Sequence, residues 1–384
     1  MFLVLRYFTA GETHGKCLTA IIEGMPSGVA IDINKINEAL ARRQSGYGRG
    51  GRMKIEKDTA EILSGVRGGY TLGSPIAIKI ENKDWANWEE IMGAEYSNGE
   101  RQVVCPRPGH ADLSGSLKYN HYDMRNVLER ASARETAARV AVGAVVSQLT
   151  EQFGIKYYTH VSCIGSVSDK ITDMNEEFFE RAKNSPVGFG DSECEKKAME
   201  YIDHIKEAGE SCGGVVETIV TNVPAGLGSY VHYDRKLDAA IAFGVMSVQA
   251  IKGVEFGMGF ECAVNKGSDV HDSIYYDNKY FRNTNNAGGI EGGMSNGEPI
   301  VVRAAMKPIP TLYTPLDTVN INDKSAQKAT VERSDTCAVP ACAVVTESVV
   351  AFEIAKAFCE KFSGDCLCDM KKSYESYMER ISNM

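Results

Sequence analysis

Apolar residues recur along the chain at two periods, and the alternation between them lays out the elements. Ile33, Ile36 and Leu40 follow Asp32 at steps of three and four, one stripe of a helix with an aspartate in the capping position. Ser132-Ala133-Arg134-Glu135 reads as a capping box: the Ser132 hydroxyl accepts from the amide three residues on, and Glu135 reaches back. The Ala/Val-rich run behind it continues to Gln148, with Gly154 near its end, and so many alanines imply close packing against a sheet or another helix. A third helix is predicted from near Asp234, with Leu237, Ile241, Val245 and Val248 on one face and its end at Gly253. A fourth runs from about Thr346 to Phe362, with Val350, Ile354 and Phe358 in line and Gly364 as its C-cap. Between the helices lie strand-like runs such as residues 214–220. The apolar start of the chain is interrupted by Arg6 and is followed by no small-residue cleavage site, so it reads as a first strand rather than a signal peptide.

Helices at wide intervals with strands between them predict a layered α+β or α/β sandwich. Residues 1–364 read as one catalytic domain without linker or repeat, and residues 365–384 as a polar tail or terminal helix. No window approaches the ~18 uninterrupted apolar residues of a membrane span, which predicts a cytoplasmic protein. The 384 residues, 43% hydrophobic and 24% charged, have the balance of a soluble globular protein. A net charge of −9 argues against general nucleic-acid binding, where phosphate neutralisation supplies most of the affinity. Basic residues clustered inside an acidic protein point instead to a small anionic ligand in a pocket. The eleven cysteines are scattered, and the closest pair, Cys366 and Cys368, lacks zinc-knuckle spacing, so all read as incidental thiols.

Residues 46–51, Gly-Tyr-Gly-Arg-Gly-Gly, match the dinucleotide pattern G-x-G-x-x-G. A dinucleotide turn joins a strand to a helix; here a helix precedes and the strand-like residues 53–56 follow. What remains is a backbone-exposing loop carrying Arg49 and Arg52, just after Arg42 and Arg43. Two histidines occupy glycine-flanked turns: His14 in residues 11–15 and His110 in residues 107–112. Rigid turns at strand ends often present catalytic groups, and histidine exchanges protons near neutrality. His110-x-Asp112 has the form of a metal-site fragment, but no complete ligand set accompanies it and no metal is expected. Arg107, Arg130 and Arg134 gather near these turns and the capped helix start, a ready anion site. Residues 286–297 are glycine-rich and let backbone approach a flat ligand; Lys307-Pro308 and Arg333 follow. From the residues alone this is an acidic enzyme with an anion pocket and two acid–base histidines, its reaction unnamed.

Taken together these segments resemble chorismate synthase, from about Leu5 to about Phe362. The resemblance rests on residues 11–15, 42–50, 107–112, 130–136, 246–257, 286–297 and 333–335, in the family's order. Thr13 stands where serine is usual and Gln249 where asparagine is frequent. The resemblance implies a β-α-β sandwich of antiparallel sheets and helices, a homotetramer, and reduced FMN as cofactor. It implies an anti-1,4-elimination of phosphate from 5-enolpyruvylshikimate 3-phosphate to give chorismate. FMN contacts carry over to Arg130, Ala131 and Ser132, to Gln249 and Ala250, to Gly292, to Lys307, Pro308, Ile309, Pro310 and Thr311, and to Arg333. Arg43, Arg49, Arg107 and Arg134 match positions that hold the substrate. His14 is placed to protonate the departing phosphate, His110 to supply a proton to the reduced flavin, and Asp335 to help accept the C6 proton. NADPH enters only as an external source of reductant, through a separate flavin reductase. The rival readings are an NAD(P)-dependent dehydrogenase, on residues 46–51, and an RNA-binding protein, on the Arg/Gly loop.

Overall fold

The computed structural model describes residues 5–50, 57–171, 174–332 and 334–384. The strand-like residues 53–56, with Arg52 and Arg333, lie outside the described residues.

Two antiparallel sheets enclose a layer of helices. In the first, strands run in the order Arg6–Ala10, Cys17–Glu23, Ile76–Glu81, Ala60–Ser64. In the second the order is Ile251–Phe256, Ile300–Met306, Gly214–Thr221, Lys156–Ile164, Val167–Ser168. The inner strands of the first sheet bury alternate residues, Leu18, Ala20 and Ile22 on one and Ile76, Ile78 and Ile80 on the next, because side chains point to opposite faces with period two. Gly214–Thr221 in the second sheet is instead buried on both faces from Val216 to Val220. The buried faces meet the helices. The Thr136–Thr150 helix packs on the first sheet, the Val339–Lys361 helix on the second, and the two helices pack on each other. Both are apolar nearly all round, as buried helices are. This is the layered α+β arrangement that the sequence predicts.

The alanine-rich composition acquires its reason at Gly143. A Cβ built there would stand 2.6 Å from both Cα and the carbonyl oxygen of Ser348 in the facing helix. Alanine would gain about 0.5–1 kcal/mol of helix propensity. It would also drive backbone against backbone, and overpacking costs about 1–3 kcal/mol. The clash is with main-chain atoms that cannot rotate away, so Gly143→Ala is expected to lower the denaturation midpoint in chemical unfolding.

Several boundaries differ from the sequence expectation. The helix after Asp234 spans Leu237–Met246 and stops well before Gly253, which lies in the Ile251–Phe256 strand. The break falls at Ala250, whose φ of +70° no helix accommodates. The fourth helix begins at Val339, not near Thr346, with Pro340 in its first turn, where a missing N–H costs nothing. Its C-cap is Phe362 rather than Gly364. Ser132 does accept a helix-end amide, but from Arg134 at 3.3 Å, opening a single 3-10 turn at Ala133–Glu135. Glu135 does not reach back; it accepts from Thr9, Arg139 and Gln249.

The polar C-terminal stretch contains a helix, Leu367–Ser382, which buries Met370 and sets Tyr374 and Tyr377 against Phe362. The Tyr377 hydroxyl donates to the Ala225 carbonyl at 2.9 Å. Among the described residues no helix is long and apolar enough to cross a membrane.

Candidate active site

A cavity of about 1370 Å³ opens where turns from both sheets converge on the start of the Thr136–Thr150 helix. The expected catalytic residues His14, His110 and Asp335 all line it, with Arg43, Arg49, Arg107 and Arg134. So do Ala131, Ser132, Gln249, Ala250, Lys307, Ile309, Pro310 and Thr311. Among the described residues, three expected ones do not line it. Arg130 turns back, donating to the Thr9 and Gly11 carbonyls and bracing the turn that carries His14. Pro308 also lies outside the lining. Gly292 forms the tight turn between the Ile290–Glu291 and Met294–Ser295 strands, with φ of +59°.

Each histidine is held by a carboxylate that also binds an arginine. His14 Nδ1 lies 2.9 Å from Glu129 Oε1, and the His14 amide donates to Oε2 at 2.8 Å. Arg125 donates to the same Oε1 at 2.9 Å. Burial alone would raise the Glu129 carboxyl, but the bonds and charge of His14, with Arg125, hold it below the usual carboxylate range. His110 Nδ1 lies 2.5 Å from Asp112 Oδ1. Arg107 grips Asp112 through Nε at 2.8 Å and Nη2 at 3.1 Å. Burial again pushes the Asp112 carboxyl up, yet His110 and Arg107 hold it far below the usual range. Arg107 Nη2 also stands 3.0 Å from His110 Nδ1, but a guanidinium only donates and an ionised carboxylate only accepts. The Nδ1 proton of each histidine is therefore committed to its carboxylate, and Nε2 is the atom left for exchange with a ligand.

Two of the arginines expected to hold substrate are ordered by a residue that the sequence reading did not single out. Asp58, fully buried, takes Arg43 Nη2 at 2.7 Å and Arg134 Nη1 at 2.7 Å. Burial raises its carboxyl, but the two guanidinium groups win and hold it low. Arg134 is fixed further by Asn82 Oδ1, at 2.9 Å from Nε and 2.8 Å from Nη2. Burial brings the Arg43 guanidinium down to about 10, so it stays cationic at neutral pH. Two arginines on one carboxylate leave a net positive wall. Arg107 lines the cavity with its fork on Asp112, and its Nη1 donates to Thr311 Oγ1 at 3.0 Å.

Asp335 is set beside the arginine loop by backbone pairing. The Thr336 amide donates to the Gly48 carbonyl at 2.8 Å, and a Cβ on Gly48 would strike Ile202 at 2.9 Å. Glycine is needed for that approach, and its φ of +82° favours it. Asp335 Oδ1 then accepts from the Gly50 amide at 2.6 Å, and Oδ2 lies 3.4 Å from Arg49 Nε. Across the cavity Gln249 donates Nε2 to Glu135 at 3.2 Å, leaving its buried Oε1 without a partner. Ala250 beside it holds the left-handed backbone noted above, a strain of about 1–3 kcal/mol that surrounding structure must sustain. Burial, then the neighbouring Lys252, lowers the Lys307 ammonium.

This assembly has counterparts. Residues 5–359 match the family model described as chorismate synthase. The chain belongs to the chorismate synthase family. It is 58% identical over 377 residues to the chorismate synthase of Alkaliphilus metalliredigens, covering 97% of this chain and 99% of that protein. It is 54% identical over 390 residues to that of Geobacter metallireducens, covering 98% and 99%. A crystal structure of chorismate synthase superposes with a TM-score of 0.81 at 44% identity, covering 100% of both chains. Chorismate synthases are carbon–oxygen lyases, and the dehydrogenase reading of residues 46–51 has no support. Besides Asp58, the sequence reading missed Glu129, Arg125 and Trp88. Glu129 stands directly before the Arg130-Ala131-Ser132 motif, and Trp88 is one of two tryptophans in the chain; those were the available signals.

Proposed function

We propose that this chain eliminates phosphate from 5-enolpyruvylshikimate 3-phosphate in the anti-1,4 sense, giving chorismate at the end of the shikimate pathway. The observation that carries the reading is one cavity holding two carboxylate-anchored histidines, the Asp58-ordered arginines and Asp335. Arg43, Arg49, Arg107 and Arg134 hold the anionic substrate in a protein of net charge −9, because the field is local. His14, protonated, gives its Nε2 proton to the phosphate leaving C3, while Glu129 keeps Nδ1. Asp335 accepts the C6 proton, so one proton leaves carbon and one goes to the leaving group.

Reduced FMN fits this cavity. The unpartnered buried Gln249 Oε1 is an acceptor suited to a ring imide N–H, and Lys307 supplies positive charge at the same wall. Ala131, Ser132, Ala250 and Ile309 through Thr311 would hold it with them. Held there, reduced FMN would supply transient electron density for cleavage of the C–O bond and would regain it as the C6–H bond breaks, the proton itself going to Asp335. His110, its Nδ1 held by Asp112, would hold a proton at Nε2 for the reduced flavin. Reductant comes from outside, from a separate flavin reductase that draws on NADPH. The reading extends to a cytoplasmic homotetramer, which the strongly exposed Tyr233, Phe243, Phe260 and Val264 support as a buried surface between copies.

Anaerobic turnover with chemically reduced FMN, followed by chorismate absorbance, tests the proposal. Turnover is expected with reduced FMN and none with oxidised FMN. NADPH added to protein and oxidised FMN is expected to leave the reaction silent. Equal rates with oxidised FMN and no reductant would overturn the flavin requirement, and no phosphate release under any condition would overturn the reaction.

A further inference from the structure

His14 lies flat on Trp88: the ring centroids are 3.7 Å apart and the planes 15° from parallel. The indole is itself fixed. Trp88 is 7% exposed, and its N–H donates to Asp84 Oδ2 at 3.1 Å. Two guanidinium groups approach the same indole, Arg101 at 4.3 Å and Arg125 at 5.2 Å from the ring centre. Arg101 is held there by an uncommon backbone, φ +55°, and its carbonyl accepts from Arg125 Nε at 2.6 Å.

A face-to-face approach of two neutral aromatic rings sets like quadrupole faces together and gains little. A cationic ring over an indole face is attracted by that same quadrupole. The observed stacking therefore favours the imidazolium. That is the form able to give a proton from Nε2 while Nδ1–H stays on Glu129. The indole and Glu129 act in one direction, against the positive charge of Arg101 and Arg125, while Asp84 steadies the indole. Stacking also sets the plane in which Nε2 can point.

We propose that Trp88 is the positioning residue of His14: it sets the plane of the imidazole and favours its protonated form, so that the ring meets the leaving phosphate as an acid. This rests on the proposed role of His14 in the elimination.

The test has two arms. In a Trp85→Phe background Trp88 is the chain's one remaining tryptophan, and a stacked imidazolium quenches indole emission. Emission is expected to fall as pH drops through the histidine range, and His14→Asn is expected to abolish that change. This arm needs no turnover, so it stands apart from the proposed reaction. In the second arm Trp88→Leu is expected to lower kcat about tenfold, the scale of a desolvated cation–π contact. The substrate KM should stay within about twofold, and Trp88→Phe should recover most of the rate. Emission that ignores pH, or a titration that survives His14→Asn, would overturn the proposal. So would a Trp88→Leu enzyme with undiminished kcat, or a loss in KM alone that phenylalanine does not restore. Should the leucine variant fail to fold, the emission arm decides.

Discussion

His110→Ala is expected to lower kcat by about 10²-fold or more, the usual contribution of a general acid, with substrate KM within a few-fold of wild type. His14→Ala is expected to do the same. The structure makes these clean substitutions. Removing His110 leaves Asp112 in the two-pronged grip of Arg107, so no buried carboxylate is orphaned. Removing the His14 ring leaves Glu129 paired with Arg125 and with the residue-14 amide. A buried charge stripped of its only partner would cost about 3–5 kcal/mol and blur catalysis with folding; that penalty is absent here. The loss should therefore fall on the chemical step. Anaerobic turnover at saturating substrate and reduced FMN is the measurement, with thermal unfolding as the check on the fold. A variant that turns over within a few-fold of wild type would make that histidine a structural part of its turn.

What the sequence made legible follows the range of the interaction. Helix faces set by residues three and four apart were readable, as at Ile33, Ile36 and Leu40, and so was the Asp32 cap, which accepts from the Asn34 amide. Helix ends were less so, because they depend on tertiary partners. The helix at Leu237 ends before the left-handed Ala250, and alanine gives no warning of that backbone. The long helix begins at Val339 because Pro340 suits a first turn, although proline in sequence reads as a stop. In the site, turn geometry exposed the histidines: glycine and proline around His14 and His110 mark rigid presentation. Pairing was invisible. Asp58 joins Arg43, fifteen residues back, to Arg134, seventy-six residues on, and nothing near Asp58 announces either. Arg107 closes its fork on Asp112, five residues away, a pairing that the motif around it does not announce. Glu135, expected to cap its own helix, bonds to Thr9 across the first sheet. Charge type can be read from sequence; which charge satisfies which is settled only by folding.

Asp335→Asn is expected to lower saturated turnover by about 10²–10⁴-fold, the range for a general base, while FMN and substrate bind nearly as tightly as in wild type. The geometry separates this from a purely structural role. Asp335 accepts from the Gly50 amide at 2.6 Å and faces Arg49 Nε at 3.4 Å. An asparagine of the same shape keeps an oxygen for the Gly50 amide, so the loop that carries Arg49 keeps its anchor. It cannot accept a proton from C6. If Asp335 served only to hold Arg49, the asparagine variant would lose charge pairing with that guanidinium and let it wander. The defect would then appear as a raised substrate KM, with kcat near normal once substrate saturates. The wall would also be more positive by one charge, which favours an anionic substrate and makes any loss of affinity still more telling of disorder in the loop. Because Asp335 faces Arg49, a purely structural role would show in substrate affinity. Flavin titration, substrate KM and saturated kcat on one variant therefore suffice. Normal binding with turnover reduced by two orders of magnitude or more supports the base, and a raised KM with rescued kcat removes it from the chemistry.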